Sequence, residues 1–229
     1  MAKGDEPTTP KGFPFGVRRQ TASLGIAIAI GAAASWALQQ APPAMQRLER
    51  TPVLLAVLSD SASPSVGPAN GDVTIIVFTD YLCAICGGAD PALDRVRAAD
   101  PKVRVVYKDW PLFGERSRYA SRVALAADRQ GKYLAVHNAL MRTRRSLDPA
   151  AVETVAVAAG ADWPRLQADL QAHGKDVDAQ LSRHASEAWS IGLEGTPAYL
   201  VGPFLIPGAM SAGALRHAVS AARRRPGLG

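Results

Sequence analysis

The chain has 229 residues, of which 48% are hydrophobic and 20% are charged. This composition is typical of globular proteins and excludes a wholly disordered chain. The formal net charge is +6, but aromatic residues make up only 6%, and the densest basic run is residues 223–225 near the C-terminus. Because nucleic-acid binding needs a basic surface with interleaved aromatic residues, we predict no nucleic-acid partner.

The N-terminal forty residues divide into a polar tail and an uncharged segment. Residues 1–20 show no hydrophobic periodicity and are predicted to form a disordered cytoplasmic tail. Residues 21–40 carry no charge, and their apolar length approaches the thickness of a bilayer core. Arg18 and Arg19 precede this segment and orient the tail towards the cytoplasm. We predict a transmembrane helix anchored in the bacterial inner membrane, with a cleaved signal segment and a buried core helix as alternatives.

A linker and an α/β domain are predicted to follow. Residues 41–70 contain prolines and a run of turn residues at 61–71, and are predicted to be a linker with a short helix within 45–58. Residues 71–229 would form the domain. Its first segments are two β-branched apolar runs, at 73–78 and 103–107, which predict strands buried on both faces. A helix continuing from a cysteine motif over 91–99 lies between them.

The second half of the domain is predicted to be mainly helical. Residues 113–190 form the helical part, in which Tyr133, Val136, His137, Leu140 and Met141 recur at helical spacing. Two short strands at 198–201 and 204–206 and a helix at 211–224 close the chain. The order β, α, β, several helices, β, β, α predicts an α/β domain interrupted by a helical insertion.

The two cysteines of the chain lie three positions apart, as Cys83-Ala84-Ile85-Cys86. A disulfide closing so short a loop restrains the unfolded chain very little, so a chemical role is favoured over a structural one. At the start of a helix, backbone N–H groups stabilise a thiolate at the first cysteine, and the second sulfur lies one turn away. This arrangement is suited to thiol–disulfide exchange, with Cys83 as the nucleophile and Cys86 as the resolving thiol.

Metal binding and an inert pair are the alternatives at the cysteine motif. A zinc site needs about four ligands, and the four histidines of the chain form no spaced pair, so no zinc site is predicted. Two thiolates suffice for Cu(I), which keeps a non-catalytic copper-binding module as the alternative function. No cofactor is predicted for exchange, because the cysteine pair itself carries the electrons.

A proline directly precedes the predicted strand at 198–201. In Gly195-Thr196-Pro197-Ala198 it is either a turn residue or a cis proline packed against the cysteines. In the second case Thr196 would offer its backbone to an extended substrate. Cis X–Pro bonds are a minority, so the residues alone leave both interpretations open.

Residues 78–86 (FTDYLCAIC) resemble the active-site signature of DsbA-like thioredoxin-family proteins. Further blocks follow in the family's order, at 105–112 (VVYKDWPL), 117–137 and 191–200 (IGLEGTPAYL). The resemblance covers about two thirds of the chain. It implies a thioredoxin fold with a helical insertion and a thiol–disulfide oxidoreductase that acts through Cys83 and Cys86. It also implies that Pro197 is the family's cis proline, preceded by Thr196.

Three positions depart from the family pattern. Ala84 and Ile85 replace the proline and the histidine or aromatic residue that often lie between the cysteines. Val77, six residues before Cys83, stands where these folds commonly bury a carboxylate. The chain therefore lacks the usual proton acceptor beneath the sulfurs.

Other residues are candidates for the missing proton transfer and for substrate binding. Lys108 and Asp80 lie at predicted strand ends and are the candidates for exchanging a proton with Cys86. Tyr81 is a candidate for contacting substrate at the rim of the site. His137 lies on an apolar helix face and is interpreted as a core histidine.

Together these features predict a monomeric, membrane-anchored oxidoreductase that exchanges disulfides with protein substrates in the periplasm or another extracytoplasmic space. Such a compartment is oxidising and permits disulfides. Oxidase, reductase and isomerase share this machinery, and the reduction potential decides among them. The sequence does not identify the redox partner protein.

Overall fold

A computed structural model describes residue 31, residues 44–143 and residues 146–224. The predicted tail at 1–20 and all but one residue of the predicted membrane segment at 21–40 lie outside the described residues. Within the part of the chain that is described, no helix is long and apolar enough to cross a membrane.

A six-stranded mixed sheet forms the centre of the domain, in the order β1-β6-β5-β3-β4-β2. The strands are β1 Gln46–Arg47, β2 Ser65–Val66, β3 Val73–Thr79, β4 Val103–Asp109, β5 Ala198–Val201 and β6 Phe204–Pro207. Strands β3 and β4 are parallel, and the other neighbouring pairs are antiparallel. The parallel pair requires a crossover, which the helices after the cysteine motif supply.

Eight helices are described around the sheet. They are α1 Pro52–Leu58, α2 Ala84–Ala89, α3 Pro91–Ala99, α4 Glu115–Asp128, α5 Tyr133–Arg142, α6 Pro149–Ala158, α7 Trp163–Ser190 and α8 Ala212–Arg223. Helices α4–α7 lie between β4 and β5 and form the predicted insertion. The observed order confirms a mixed α/β thioredoxin-like fold with a helical insertion.

The central strands are buried on both faces, as their continuous apolar sequence predicts. Side chains alternate between the faces with the period of a strand. Val77, Val105 and Tyr107 share one core with the cysteines and the insertion, whereas Ile76 and Val106 belong to a second core with α1 and the end of α7. The cysteines therefore lie on the face covered by the insertion.

Residues 44–70 differ from the linker that the sequence predicts at 41–70. Strand β1 pairs with β6, and strand β2 pairs with β4. Helix α1 begins after Thr51, whose hydroxyl accepts from the Leu54 amide, and it buries Leu54 and Val57 in the second core. Helix α1 lies within the range 45–58 where a short helix is predicted, whereas the two-residue strands β1 and β2 are too short to show a hydrophobic period.

Strand β4 also differs from its predicted range. Strand β4 continues two residues beyond its predicted end, to Asp109. At the end of α8, the Arg223 guanidinium forms ion pairs with Asp72 and Asp100. These pairs connect α8 to the loops at the start of β3 and the end of α3.

Candidate functional site

The cysteine motif lies at the start of α2, immediately after the loop that follows β3. Cys83 is the N-cap residue of α2, and its sulfur accepts a hydrogen bond from the Cys86 amide at 3.3 Å. Cys86 lies one turn inside the helix and is 2% exposed, against 7% for Cys83. Both are free thiols. The first cysteine is thus the more accessible of the two, as a nucleophile must be.

The two thiols differ strongly in acidity. The hydrogen bond from the Cys86 thiol lowers the pKa of Cys83 to about 6; burial opposes this, while the Thr196 hydroxyl and the N–H groups of Cys86 and Ile85 reinforce it. The same hydrogen bond to Cys83, followed by burial, raises the pKa of Cys86 above its ordinary value. Because the thiolate is the attacking form of a cysteine, this difference in acidity favours Cys83 over Cys86 as a nucleophile near neutral pH.

Thr196 and Pro197 lie directly against Cys83. The Cys83 thiol donates to the Thr196 carbonyl at 3.4 Å, and the peptide bond between Thr196 and Pro197 is cis. The Thr196 hydroxyl is buried and has no other hydrogen-bond partner among the described residues, so it is free to donate to a thiolate. Of the two interpretations that the sequence left open, the structure therefore supports the cis proline beside the cysteines.

Tyr81 lies at the site but presents its ring rather than its hydroxyl. The side chain is 6% exposed, and its hydroxyl points inward to the His137 Nδ1 atom at 2.9 Å. The ring lines a cavity of about 200 Å³ beside Cys83. The other residues lining this cavity are Leu82, Ala84, Gly87, Met141, Thr143 and Leu147. None of these side chains is charged, so the cavity is suited to an uncharged substrate group.

Asp80 is buried, and its carboxylate is occupied by loop hydrogen bonds. One oxygen accepts from the Leu82 amide at 2.8 Å and from the Ser117 hydroxyl. The other accepts from the amides of Leu112 and Phe113. Asp80 therefore holds the loop before Cys83 to the start of the insertion, and this placement supports a structural role more directly than proton transfer.

Lys108 is also buried, but on the face of the sheet opposite the cysteines. Its Nζ atom donates to Asp60 and Glu187 at 2.5 Å each. The neighbouring residues Tyr107 and Asp109 face the cysteine side instead. The structure therefore does not bring Lys108 to Cys86, and its predicted proton-transfer role gains no supporting contact.

Sequence reasoning missed a polar cluster on the cysteine side of the sheet. His137 is buried as expected, but both of its ring nitrogens are within hydrogen-bond distance of other side chains, including Asp90 and Tyr81. Asp109 is buried next to it and accepts from Tyr133. The chemical type of these residues was visible in the sequence, but their convergence from four separate segments of the chain was not.

Ligands for a metal ion are scarce in the described ranges. No group of three or more His, Cys, Asp and Glu side chains there is arranged to hold one. This finding does not address Cu(I), for which the two sulfurs alone would suffice.

Solved structures with this fold cover most of the chain. A thioredoxin-like oxidoreductase from Silicibacter pomeroyi DSS-3 is 37% identical, with a TM-score of 0.71, over 76% of this chain and 99% of that protein. A periplasmic thioredoxin-like protein from Salmonella enterica serovar Typhimurium is 29% identical, with a TM-score of 0.67, over 77% of this chain and 99% of that one.

The curated relatives are larger proteins. The Na(+)/H(+) antiporter NhaA 1 of Mycolicibacterium vanbaalenii is 28% identical over 161 residues, which is 69% of this chain and 26% of the antiporter. The chain spans only about a quarter to a third of the length of such relatives. The similarity therefore concerns only a shared region of those proteins, and the antiport activity in their names is a property of those relatives.

The profile of the DSBA-like thioredoxin domain matches residues 74–220, which include the cysteine pair, the whole insertion and the cis proline. These are the same features that the geometry brings together around Cys83. The chain therefore belongs to the DSBA-like thioredoxin domain family.

Proposed function

We propose that the chain exchanges disulfides with protein substrates, with Cys83 as the nucleophile and Cys86 as the resolving thiol. The observation that carries the proposal is the difference between the two thiols in acidity and exposure. Family membership and the oxidoreductase among the structural neighbours support it.

The exchange proceeds in two displacements that conserve electrons. In the reducing direction, the Cys83 thiolate attacks one sulfur of a substrate disulfide, forming a mixed disulfide and releasing a substrate thiolate that takes up a proton. Cys86 then loses its proton and attacks Cys83, which forms the Cys83–Cys86 disulfide and releases the second substrate thiolate. The oxidising direction is the reverse, and the two electrons stay on sulfur throughout.

The residues around Cys83 would position the substrate. An extended peptide would lie beside the Thr196 backbone, whose carbonyl is already within 3.4 Å of the nucleophilic sulfur. The ring of Tyr81 and the cavity next to it would receive a neighbouring substrate side chain. Pro197 precedes β5 and fixes this segment against the active-site strand β3, to which β5 is paired.

A direct test mixes the oxidised full-length chain with a reduced, unfolded protein that has two cysteines. We expect disulfide transfer roughly tenfold or more faster than by glutathione disulfide at the same concentration, because the leaving thiol Cys83 is acidic. The equilibrium with glutathione then gives the reduction potential and the preferred direction. Transfer no faster than glutathione, together with tight Cu(I) retention against a chelator, would favour the copper-binding alternative.

We further propose that residues 21–40 anchor the domain to the inner membrane, with the active site outside the cytoplasm. The uncharged segment after Arg18 and Arg19 supports this location, as does the periplasmic Salmonella protein of similar structure. The full-length chain should fractionate with membranes, and protease added outside the cytoplasm should digest residues beyond 40. Protection from that protease would contradict the location, and a soluble form beginning near residue 41 would indicate a cleaved signal.

A further inference from the structure

The imidazole of His137 connects the two ends of residues 81–90, the redox segment, which contains both cysteines. His137 lies on α5 of the insertion and is fully buried. Its Nδ1 atom is 2.9 Å from the hydroxyl of Tyr81, two residues before Cys83. Its Nε2 atom is 3.1 Å from a carboxylate oxygen of Asp90, four residues after Cys86. One side chain of the insertion therefore bridges the residues that flank both cysteines.

A second contact shows how closely the insertion approaches the redox helix. A Cβ atom added to Gly87, directly after Cys86, would lie 2.4 Å from the Met141 carbonyl oxygen at the end of α5. Such a distance is far inside van der Waals contact, so only glycine allows this approach. Helix α2 thus lies directly against α5 on the side from which His137 reaches the segment.

The hydrogen-bond donors and acceptors of the polar cluster can be assigned without conflict. Tyr133 donates to Asp109 at 3.1 Å, while burial raises the pKa of that carboxylate to about 6. If Nε2 of His137 carries the proton, it donates to Asp90, and Nδ1 accepts from Tyr81. This tautomer is assigned from the bonding partners. It leaves both nitrogens of the neutral ring satisfied.

We propose that His137 is a positioning residue that stabilises the Cys83 thiolate by holding Tyr81 and Asp90. The inference rests on the proposed function, since it concerns how the insertion sets the reactivity of the same nucleophile. The thiolate depends on close donors of helix α2, chiefly the Cys86 thiol and also the Cys86 amide, whose nitrogen lies 3.3 Å from the Cys83 sulfur. Those distances are kept only while the loop before Cys83 and the helix after it are fixed. Loss of the bridge would loosen both ends and weaken the stabilising hydrogen bonds.

The decisive variants remove hydrogen bonds while keeping rings. Tyr81→Phe deletes only the hydroxyl that meets Nδ1, and His137→Phe deletes both contacts of the imidazole. His137→Gln keeps one amide donor and one carbonyl acceptor but loses the aromatic ring. Tyr107→Phe is the matched control: its ring centroid lies 4.8 Å from the His137 ring, but within the described residues its hydroxyl makes no hydrogen bond.

The readouts are the Cys83 pKa, from thiolate absorbance, and the equilibrium constant of the full-length chain with glutathione. We expect the pKa to rise by about one unit in Tyr81→Phe and further in His137→Phe, with His137→Gln between wild type and His137→Phe. A less stable thiolate makes the reduced form less favourable. The equilibrium should therefore shift towards the protein disulfide, by about tenfold for each pKa unit when it is measured at a pH well above both pKa values, while Tyr107→Phe matches the wild type.

If the folded Tyr81→Phe protein shows an unchanged Cys83 pKa and an unchanged equilibrium with glutathione, the inference is overturned. The Tyr81→Phe variant alone provides the test if His137→Phe fails to fold. An equal shift in Tyr107→Phe would also overturn it, because general loosening of the core would then be the cause. The proposed function fails differently. In that case the shifts would appear as expected, but the wild-type chain would transfer no disulfide to a protein substrate.

Discussion

A variant with Cys86 replaced by serine is expected to accumulate as a mixed disulfide with its protein substrate, whereas Cys83→Ala should accumulate none. Cys83 forms the first bond, since it is the acidic and more exposed thiol. Without a resolving thiol, that bond persists. Non-reducing electrophoresis after rapid alkylation would measure the trapped fraction, which should approach the whole of the Cys86→Ser protein and fall to background in Cys83→Ala.

Serine is preferable to alanine at position 86 because of the hydrogen bond within the pair. The Cys86 thiol is the largest cause of the lowered Cys83 pKa. Alanine would remove that donor and make Cys83 a weaker nucleophile at neutral pH, whereas a serine hydroxyl keeps a donor at the same place. Equal trapping by Cys83→Ala would show that Cys86 is the nucleophile.

In the wild type, alkylation of Cys83 should slow about tenfold for each pH unit below 6.

The central part of the fold was predictable because its sequence signals are strong. Two continuous runs of β-branched residues mark β3 and β4. Because both strands are buried on both faces, their sequences are continuously apolar and do not alternate with polar residues. Asp148 and Asp162, each with a proline one or two positions later, cap the starts of α6 and α7 with their side chains, and this pairing of cap and proline is a local signal that a sequence shows directly. The cysteine spacing shows the local chemistry, because both sulfurs lie within one helical turn.

Other features depend on distant partners and leave little trace in the sequence. The Asp80 carboxylate accepts from backbone amides 32 and 33 positions away, and backbone groups carry no residue signal. Strand β4 runs two residues further than its apolar pattern, and this extension places Lys108 and Asp109 on opposite faces. A strand ending at residue 107 gives no basis for that separation. The contacts of His137 likewise require the insertion to fold back onto α2.

Lys108→Ala is expected to destabilise the domain by about 3–5 kcal/mol, because it removes one partner from a buried ion cluster. The lysine side chain is fully buried and meets two carboxylates, Asp60 and Glu187. Burial alone would raise the pKa of Asp60, but hydrogen bonds from Lys108 and Ser63 hold it well below its ordinary value. Without the lysine, both carboxylates would lose their counter-charge, and the loss should appear as a lower midpoint in urea unfolding.

A matched control separates burial from charge. Arg118→Ala removes a cation whose pair with Asp178 is largely exposed, so it should change the unfolding free energy by about 1 kcal/mol or less. Combining Lys108→Met with Asp60→Asn and Glu187→Gln removes all three charges and should recover part of the lost stability, because no uncompensated charge is then buried.

The same variant decides between structural support and proton transfer for Lys108. A structural lysine lowers the unfolding midpoint but leaves the rate of mixed-disulfide resolution by Cys86 unchanged under conditions where the variant is folded. A proton-transfer lysine would slow resolution and alter its pH dependence. Since the Lys108 side chain lies on the opposite face of the sheet from Cys86, we expect the first result. Slowed resolution in a folded Lys108→Ala protein would mean that protons reach Cys86 through the sheet from the second core.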